Sequence, residues 1–152
     1  MPTMNYSPIT EHLFIGTSPG QRDFDVLRDL GVGLVINMRF MPGPRPPAGD
    51  PALRYIWLRT FDNPLLPIPL RALIKGVQLA LDEIKAGGKV YTHCAAGRHR
   101  SVAMAAAILI AQGLAPEGAI SLIKEQRPIA DPDAFHIRRR ILLFAEHWSL
   151  LQ

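Results

Sequence analysis

Cysteine is almost missing from this chain: Cys94 is the only one among 152 residues. A single thiol excludes an internal disulfide framework and a metal site built from several thiolates, and it makes a reducing compartment, the cytoplasm, the expected location. Long apolar runs are missing too. The longest, residues 102–111, is about half of the roughly 18–20 residues that a membrane span requires, so none is expected. The opening stretch MPTMNYSPITEH has neither a basic start nor an apolar segment of the kind a secretory signal carries. Aromatic residues are only 7%, too few for a surface of interleaved bases and rings, and no nucleic-acid partner is expected.

Hydrophobic residues make up 48% and charged residues 20%, with a mean hydropathy of +0.10. That excludes a disordered, charge-solvated chain. No internal repeat is visible, and the length suits one domain over residues 1–152, expected to act as a monomer. Seventeen cations oppose thirteen acids, giving a net charge of +4 and a pI near 9.6. Such a balance suits anionic partners, although charge alone is as well explained by a solvated basic surface.

Fourteen prolines and twelve glycines punctuate the chain. His12-Leu13-Phe14-Ile15-Gly16 reads as a short strand. Residues 21–30 read as a helix that puts Phe24, Leu27 and Leu30 on one side and stops at Gly31. Residues 33–38 are a buried type of strand, 41–51 a proline-rich stiff loop, 53–58 another strand, and 59–68 a loop. Leu70, Leu73, Ile74, Val77, Leu81 and Ile84 recur at helical spacing, which predicts a helix over 68–86. A short strand at 89–92 leads into the loop HCAAGRHRS. Next comes a helix over 102–112 that is apolar all round and therefore central. Further helices are predicted over 116–126 and 133–149, the last with a core stripe of Ile137, Ile141, Phe144, Ala145 and Trp148. Interleaved strands and helices predict an α/β domain with a central, mainly parallel twisted sheet flanked by helices on both faces.

The segment from Val90 to Val102 carries chemistry. A buried strand runs into a glycine-containing loop and then into a helix. Loop amides and the positive helix end together form an anion cradle. Cys94 stands at its start, where amides, helix dipole and Arg100 lower a thiol pKa. Arg100 is placed to return across the loop and grip two phosphate oxygens as a fork. Gly97 permits the turn, and the Ser101 hydroxyl is placed to donate to the sulfur. Composition alone gives His, Gly, Arg and Ser or Thr at these offsets from the one Cys with odds on the order of 10⁻⁵. A lone cysteine is ordinarily inert packing, and this pattern reverses that expectation. His93 is expected to orient the loop by hydrogen bonds. Arg98 and His99 are either rim residues of the cradle or solvated loop positions.

His93-Cys94-Ala95-Ala96-Gly97-Arg98-His99-Arg100-Ser101 resembles the HCxxGxxRS signature of cysteine-dependent protein phosphatases, most of all their dual-specificity branch. The resemblance extends to HLFIG near the start, to the strand entry at Gly31–Asn37, and to Arg127-Pro128 with Phe135 downstream. It implies a phosphotyrosine phosphatase-like fold. It also implies phosphate monoester hydrolysis through a phosphocysteine on Cys94, with residues 95–100 (Ala95, Ala96, Gly97, Arg98, His99 and Arg100) binding the phosphoryl group. A loop Asp would act as general acid and then base. Asp62, 32 residues before Cys94 in a proline-containing loop, has the matching order and spacing. Asp62-Asn63-Pro64 is also ordinary turn chemistry. Asp82 falls on the amphipathic helix, Asp50 in the proline loop, and Asp131 and Asp133 suit helix capping. No cofactor is implied, and no metal ligand set is visible.

Phosphorylated proteins or small phosphate esters are the expected substrates, phosphotyrosine first, then phosphoserine and phosphothreonine. The alternatives are phosphoinositides or other polyanions, RNA 5′-ends included, or a weak phospho-binding module. His99 stands where the family often has Ser. With Arg98 it makes the rim basic, and Arg39 is positioned to add to it. The triplet Arg138-Arg139-Arg140 fits a solvated helix face.

Overall fold

The computed structural model describes residues 4–49 and 52–152. Five strands, β1 (Tyr6–Thr10), β2 (Leu13–Gly16), β3 (Val32–Asn37), β4 (Arg54–Trp57) and β5 (Lys89–His93), form one sheet in the order β1-β2-β5-β3-β4. β2, β5, β3 and β4 run parallel, and β1 joins the edge antiparallel to β2. Five helices accompany them: α1 (Asp23–Asp29), α2 (Leu70–Lys85), α3 (Arg100–Ala111), α4 (Pro116–Gln126) and α5 (Phe135–Leu150).

The period of two in the strands sorts their side chains between two unequal cores. Phe14, Val35 and Tyr91 face α1, where they meet Phe24 and Leu27. Leu13, Ile15, Leu34, Ile36 and Val90 point the other way, into the larger core under α2, α3 and α4. α3 is the pivot of that core. Residues 101–109 are all buried, and its run of alanines lets neighbouring helices approach closely. α5 packs over α3 as an outer layer through Ile137, Ile141 and Phe144.

Each helix and strand predicted from the sequence is present within a few residues. The exception is β1, which the sequence reading left out. Its run Tyr6-Ser7-Pro8-Ile9-Thr10 buries only Ile9 and contains a proline, a pattern tolerated on an edge strand. A register irregularity between Pro8 and Thr10 accommodates it. The helix-capping role expected of Asp131 and Asp133 is not found. Ala134 occupies the N-cap of α5 without a side-chain cap, because Asp133 pairs with Lys124 and Arg138 and Asp131 turns toward His99.

The register brings one end of the sheet together. Gly16 and Asn37 both pair with His93, and Asn37 pairs with Trp57. The loops that leave β2, β3, β4 and β5 therefore diverge from one line at the carboxyl ends of parallel strands, where open α/β sheets bind ligands. Buried Asn37 braces that line. Its Nδ2 donates to the Met41 and Pro42 carbonyls, and its Oδ1 accepts from the Arg39 amide.

The two phenylalanines of α5 separate packing from position. Phe144→Ala is expected to lower stability by about 3–5 kcal/mol, and Phe135→Ala, at a position 71% exposed, by no more than ~0.5 kcal/mol in urea denaturation.

Candidate active site

β5 ends at His93, and α3 begins at Arg100, so residues 94–99 must reverse direction within six positions. Gly97 makes the turn at φ +64°. A side chain there would meet the Gly16 carbonyl oxygen and the Arg127 guanidinium at 2.7 Å, so the position admits only glycine. Arg127 sits at the end of α4, 1% exposed. Its Nε donates to the Gly97 carbonyl (2.8 Å) and one terminal nitrogen to the Ala96 carbonyl (3.1 Å). The other terminal nitrogen reaches Asn5 Oδ1 and Ser7 Oγ, both at 3.0 Å. With those carbonyls held outward, amides are left facing the sulfur.

Cys94 is buried at the base of the loop. Its Sγ lies 3.2 Å from Ser101 Oγ. Burial opposes ionisation of the thiol. The Ser101 hydroxyl, the amides of Ser101 and Arg98 and the charge of Arg100 outweigh it, and the pKa falls below the ordinary thiol value. Thr92 supports Ser101 from below by donating to its carbonyl at 3.2 Å.

Arg100 is tethered by one terminal nitrogen to the Thr60 carbonyl (3.1 Å) and the Met38 carbonyl (3.4 Å), which ties it to the loops after β4 and β3. Its Nε is buried and makes no hydrogen bond among the described residues. A tetrahedral anion in the loop would satisfy it as one prong of a fork.

His93 is buried, and burial, partly offset by a hydrogen bond with the Cys94 backbone, takes its imidazole down to about 4, so it is neutral. That bond fits the orienting part expected of it, while its Nδ1 has no hydrogen-bond partner among the described residues. Arg127 holds the loop from the other end. The sequence offered Arg127-Pro128 only as part of a likeness, and an arginine 30 residues beyond Gly97 carries no local signal of its own.

Asp62 lies beside the loop. Turn chemistry at this point belongs to Asn63, whose Oδ1 accepts from the Leu65 amide. The Asp62 carboxylate faces inward. Its Oδ2 is 2.9 Å from His99 Nδ1 and its Oδ1 is 2.7 Å from His136 Nε2. Partial burial alone would raise its pKa. The hydrogen bonds from His136 and His99, with the charge of Arg100, hold it below the usual carboxylate value. His99 is thus part of a bonded array, not a solvated loop tip, and its Nε2 lies 3.4 Å from Asp131 Oδ2. His136, in the first turn of α5, is a second residue the sequence reading missed. Nothing near it in the chain hints that it meets Asp62. Asp82 stands exposed on α2, and Asp50 lies outside the described residues. Asp62, Cys94, Arg98, His99 and Arg100 line one cleft, with Ala95 and Ala96. Arg39 is turned away from it, toward Ser18 Oγ at 3.0 Å.

No family model matches the chain. Human dual specificity phosphatase 28 is 33% identical over 128 residues, which span 82% of this chain and 69% of that protein. The crystal structure of human DUSP28 superposes with a TM-score of 0.85 over 98% of this chain and 97% of its own at 24% identity, a likeness of fold. The crystal structure of PTPMT1 in complex with PI(5)P gives a TM-score of 0.80 at 26% identity, over 97% of this chain and 99% of that one. The architecture is the phosphotyrosine phosphatase-like α/β fold, and the class is the cysteine-dependent phosphatases. Within it, the chain belongs to the dual-specificity phosphatase family and is a phosphatase of the protein tyrosine and dual-specificity type.

Two substitutions test how the loop is held. Ser101→Ala removes a hydrogen bond to the sulfur and should raise the Cys94 pKa, read as a shift to higher pH in the rate of alkylation by iodoacetate. Arg127→Ala leaves the Ala96 and Gly97 carbonyls unpaired. It should cost about 1–3 kcal/mol for each in urea denaturation and slow alkylation at neutral pH as the loop loosens.

Proposed function

We propose that this chain acts as one catalytic domain over residues 1–152. It hydrolyses phosphate monoesters of proteins, phosphotyrosine first, through a phosphocysteine intermediate and in the cytoplasm. Among the described residues no helix is long and apolar enough to cross a membrane. The observation that carries the reading is the buried Cys94 sulfur, held toward its thiolate by Ser101 and loop amides, near an Arg100 whose Nε has no partner among the described residues.

In the first step the Cys94 thiolate attacks phosphorus. The S–P bond forms, the bond from phosphorus to the leaving oxygen breaks, and that oxygen takes a proton from the Asp62 carboxyl. The amides of residues 95–100 and the Arg100 fork hold the three equatorial oxygens of a loose transition state. In the second step Asp62, now a carboxylate, takes a proton from water as its oxygen attacks phosphorus. The S–P bond breaks, inorganic phosphate leaves, and Ser101 donates to the returning thiolate.

Asp62 rests as an anion, so the acid step needs a source for its proton. The substrate supplies the bias. A phosphoryl dianion arriving in the cleft is a like charge beside the carboxylate and raises its pKa. A substrate that enters as a monoanion brings the proton with it.

The basic rim favours a second substrate class. Arg98 is exposed at the mouth of the cleft, and the similar PTPMT1 was crystallised with the phosphoinositide PI(5)P. Phosphopeptides and phosphoinositides presented side by side decide between them.

Cys94→Ser is expected to abolish turnover of both classes without loss of fold. Asp62→Ala should slow phosphotyrosine hydrolysis about 10²–10⁴-fold and p-nitrophenyl phosphate hydrolysis far less, because the better leaving group needs less protonation. Equal slowing of both substrates would move the acid role elsewhere.

A further inference from the structure

The Asp62 array has a property that phosphoryl transfer does not use. One carboxylate oxygen and two imidazole nitrogens, from the loop after β4, the loop after β5 and the first turn of α5, converge with their ligand atoms within 4.8 Å of one another. These are two imidazole nitrogens and one carboxylate oxygen, a set suited to Zn²⁺ and similar first-row divalent ions. A ligand set was not visible in the sequence, because its members lie 37 and 74 positions apart.

A second feature supports the same reading. Metal-bound histidines usually donate the far ring N–H to a carboxylate, which fixes tautomer and ring orientation. His99 already has this arrangement: Nδ1 faces the cluster, and Nε2 lies 3.4 Å from Asp131 Oδ2. The His99 and His136 rings meet edge to face at 5.3 Å between centroids, so both nitrogens are aimed at the carboxylate from different directions. Asp62 is 35% exposed at its side chain and the two rings about 20%, which leaves a path from solvent and room for a further ligand.

We propose that Asp62, His99 and His136 form a reversible inhibitory site for a divalent ion of the Zn²⁺ class, with Asp131 orienting His99 behind it. The ion replaces the two hydrogen bonds between the rings and the carboxylate. Each coordinating nitrogen gives up its proton, to the far ring nitrogen or to solvent. Arg100 stands beside Asp62 as a positive charge, and Arg98 is 4.0 Å from Asp131, so the field around the ion is less negative, and binding weaker, than at a closed structural zinc site. The consequence for turnover rests on the role proposed for Asp62. A metal-bound carboxylate has no proton to give and is not free to take one.

The test separates the site from the reaction. In the Cys94→Ser protein, which has no thiolate to compete for metal, Zn²⁺ should bind with one equivalent by calorimetry, and Co²⁺ should show the visible absorption of low-coordinate nitrogen–oxygen ligation. His136→Ala in that background should weaken binding at least 10-fold, and Asp131→Asn about 10–100-fold. His136→Asn serves as a second variant if the alanine destabilises α5, with the urea midpoint as the check on folding. Zn²⁺ should inhibit the wild-type enzyme, reversibly on adding a chelator, and inhibit His136→Ala at least 10-fold less well. Loss of binding with Cys94→Ser overturns the proposal by assigning the metal to the thiolate. Unchanged binding in folded His136 variants overturns it as well. Because calorimetry and absorption are read on a protein that cannot turn over, neither result depends on the proposed reaction.

Discussion

The site depends on a buried guanidinium that never faces the cleft. Arg127 joins three parts of the chain distant in sequence: the end of α4, the carbonyls of Ala96 and Gly97, and the polar side chains of Asn5 and Ser7 at the sheet edge. Burying it is expensive, and desolvation lowers its own pKa. The cost is met because four of its five N–H donors reach fixed acceptors, an arrangement that a lysine ammonium cannot reproduce. Carbonyls turned outward by Arg127 leave amides turned inward. Only then does the Cys94 sulfur gain enough donors to overcome its own burial.

That interaction also explains why β1 belongs to the fold. An edge strand with one buried residue and a proline adds little to the core. Its start, however, brings Asn5 and Ser7 to Arg127, and Asn5 further accepts from the Thr17 amide at 3.0 Å. On the other side of the site the Asn37 amide and the carbonyls of Met38 and Thr60 fix the loops that tether Arg100. The Cys94 loop is therefore set between two polar braces, one joining the end of α4 to the start of the antiparallel β1 and the other built on the carboxyl ends of β3 and β4. The apolar α3 anchors its far end as a rigid post.

Elements with a strong period were legible from the chain alone. α2 announced itself by six apolar residues at helical spacing, and α3 by an unbroken apolar run. The local constellation of Cys94, Gly97, Arg100 and Ser101 was legible for a related reason. Strand, loop and helix are consecutive, so spacing in sequence stands for proximity in space. β1, Arg127 and His136 were not legible, because their roles come from contacts made across tens of residues by side chains that look unremarkable where they stand. His99 was half legible. Its departure from the family pattern marked it as unusual, but only the fold shows it bonded to Asp62 and Asp131. Asp131 was misread for the same reason, since a carboxylate shortly before a helix resembles a cap until its partner comes into view.

The bonds from His99 and His136 to Asp62 have two opposed effects. They dock the loop that bears Asp62 against the Cys94 loop and α5 before any substrate arrives, so little ordering entropy remains to be lost on closing. They also favour the anion, which a general acid must leave before it can donate. These effects are reconciled if substrate charge changes the balance. A phosphoryl dianion beside Arg100 offsets part of the positive field that favours the Asp62 anion and adds repulsion of its own, so protonation becomes easier only in the loaded site. In the proposed role the carboxylate is then a base by default and an acid on demand. That order suits a cycle whose second step begins with the leaving group gone and a water in its place. A divalent ion on the same three ligands would hold Asp62 as an anion whatever occupied the loop. It would remove this dependence on substrate while leaving Cys94, Ser101 and the clamp at Arg127 undisturbed.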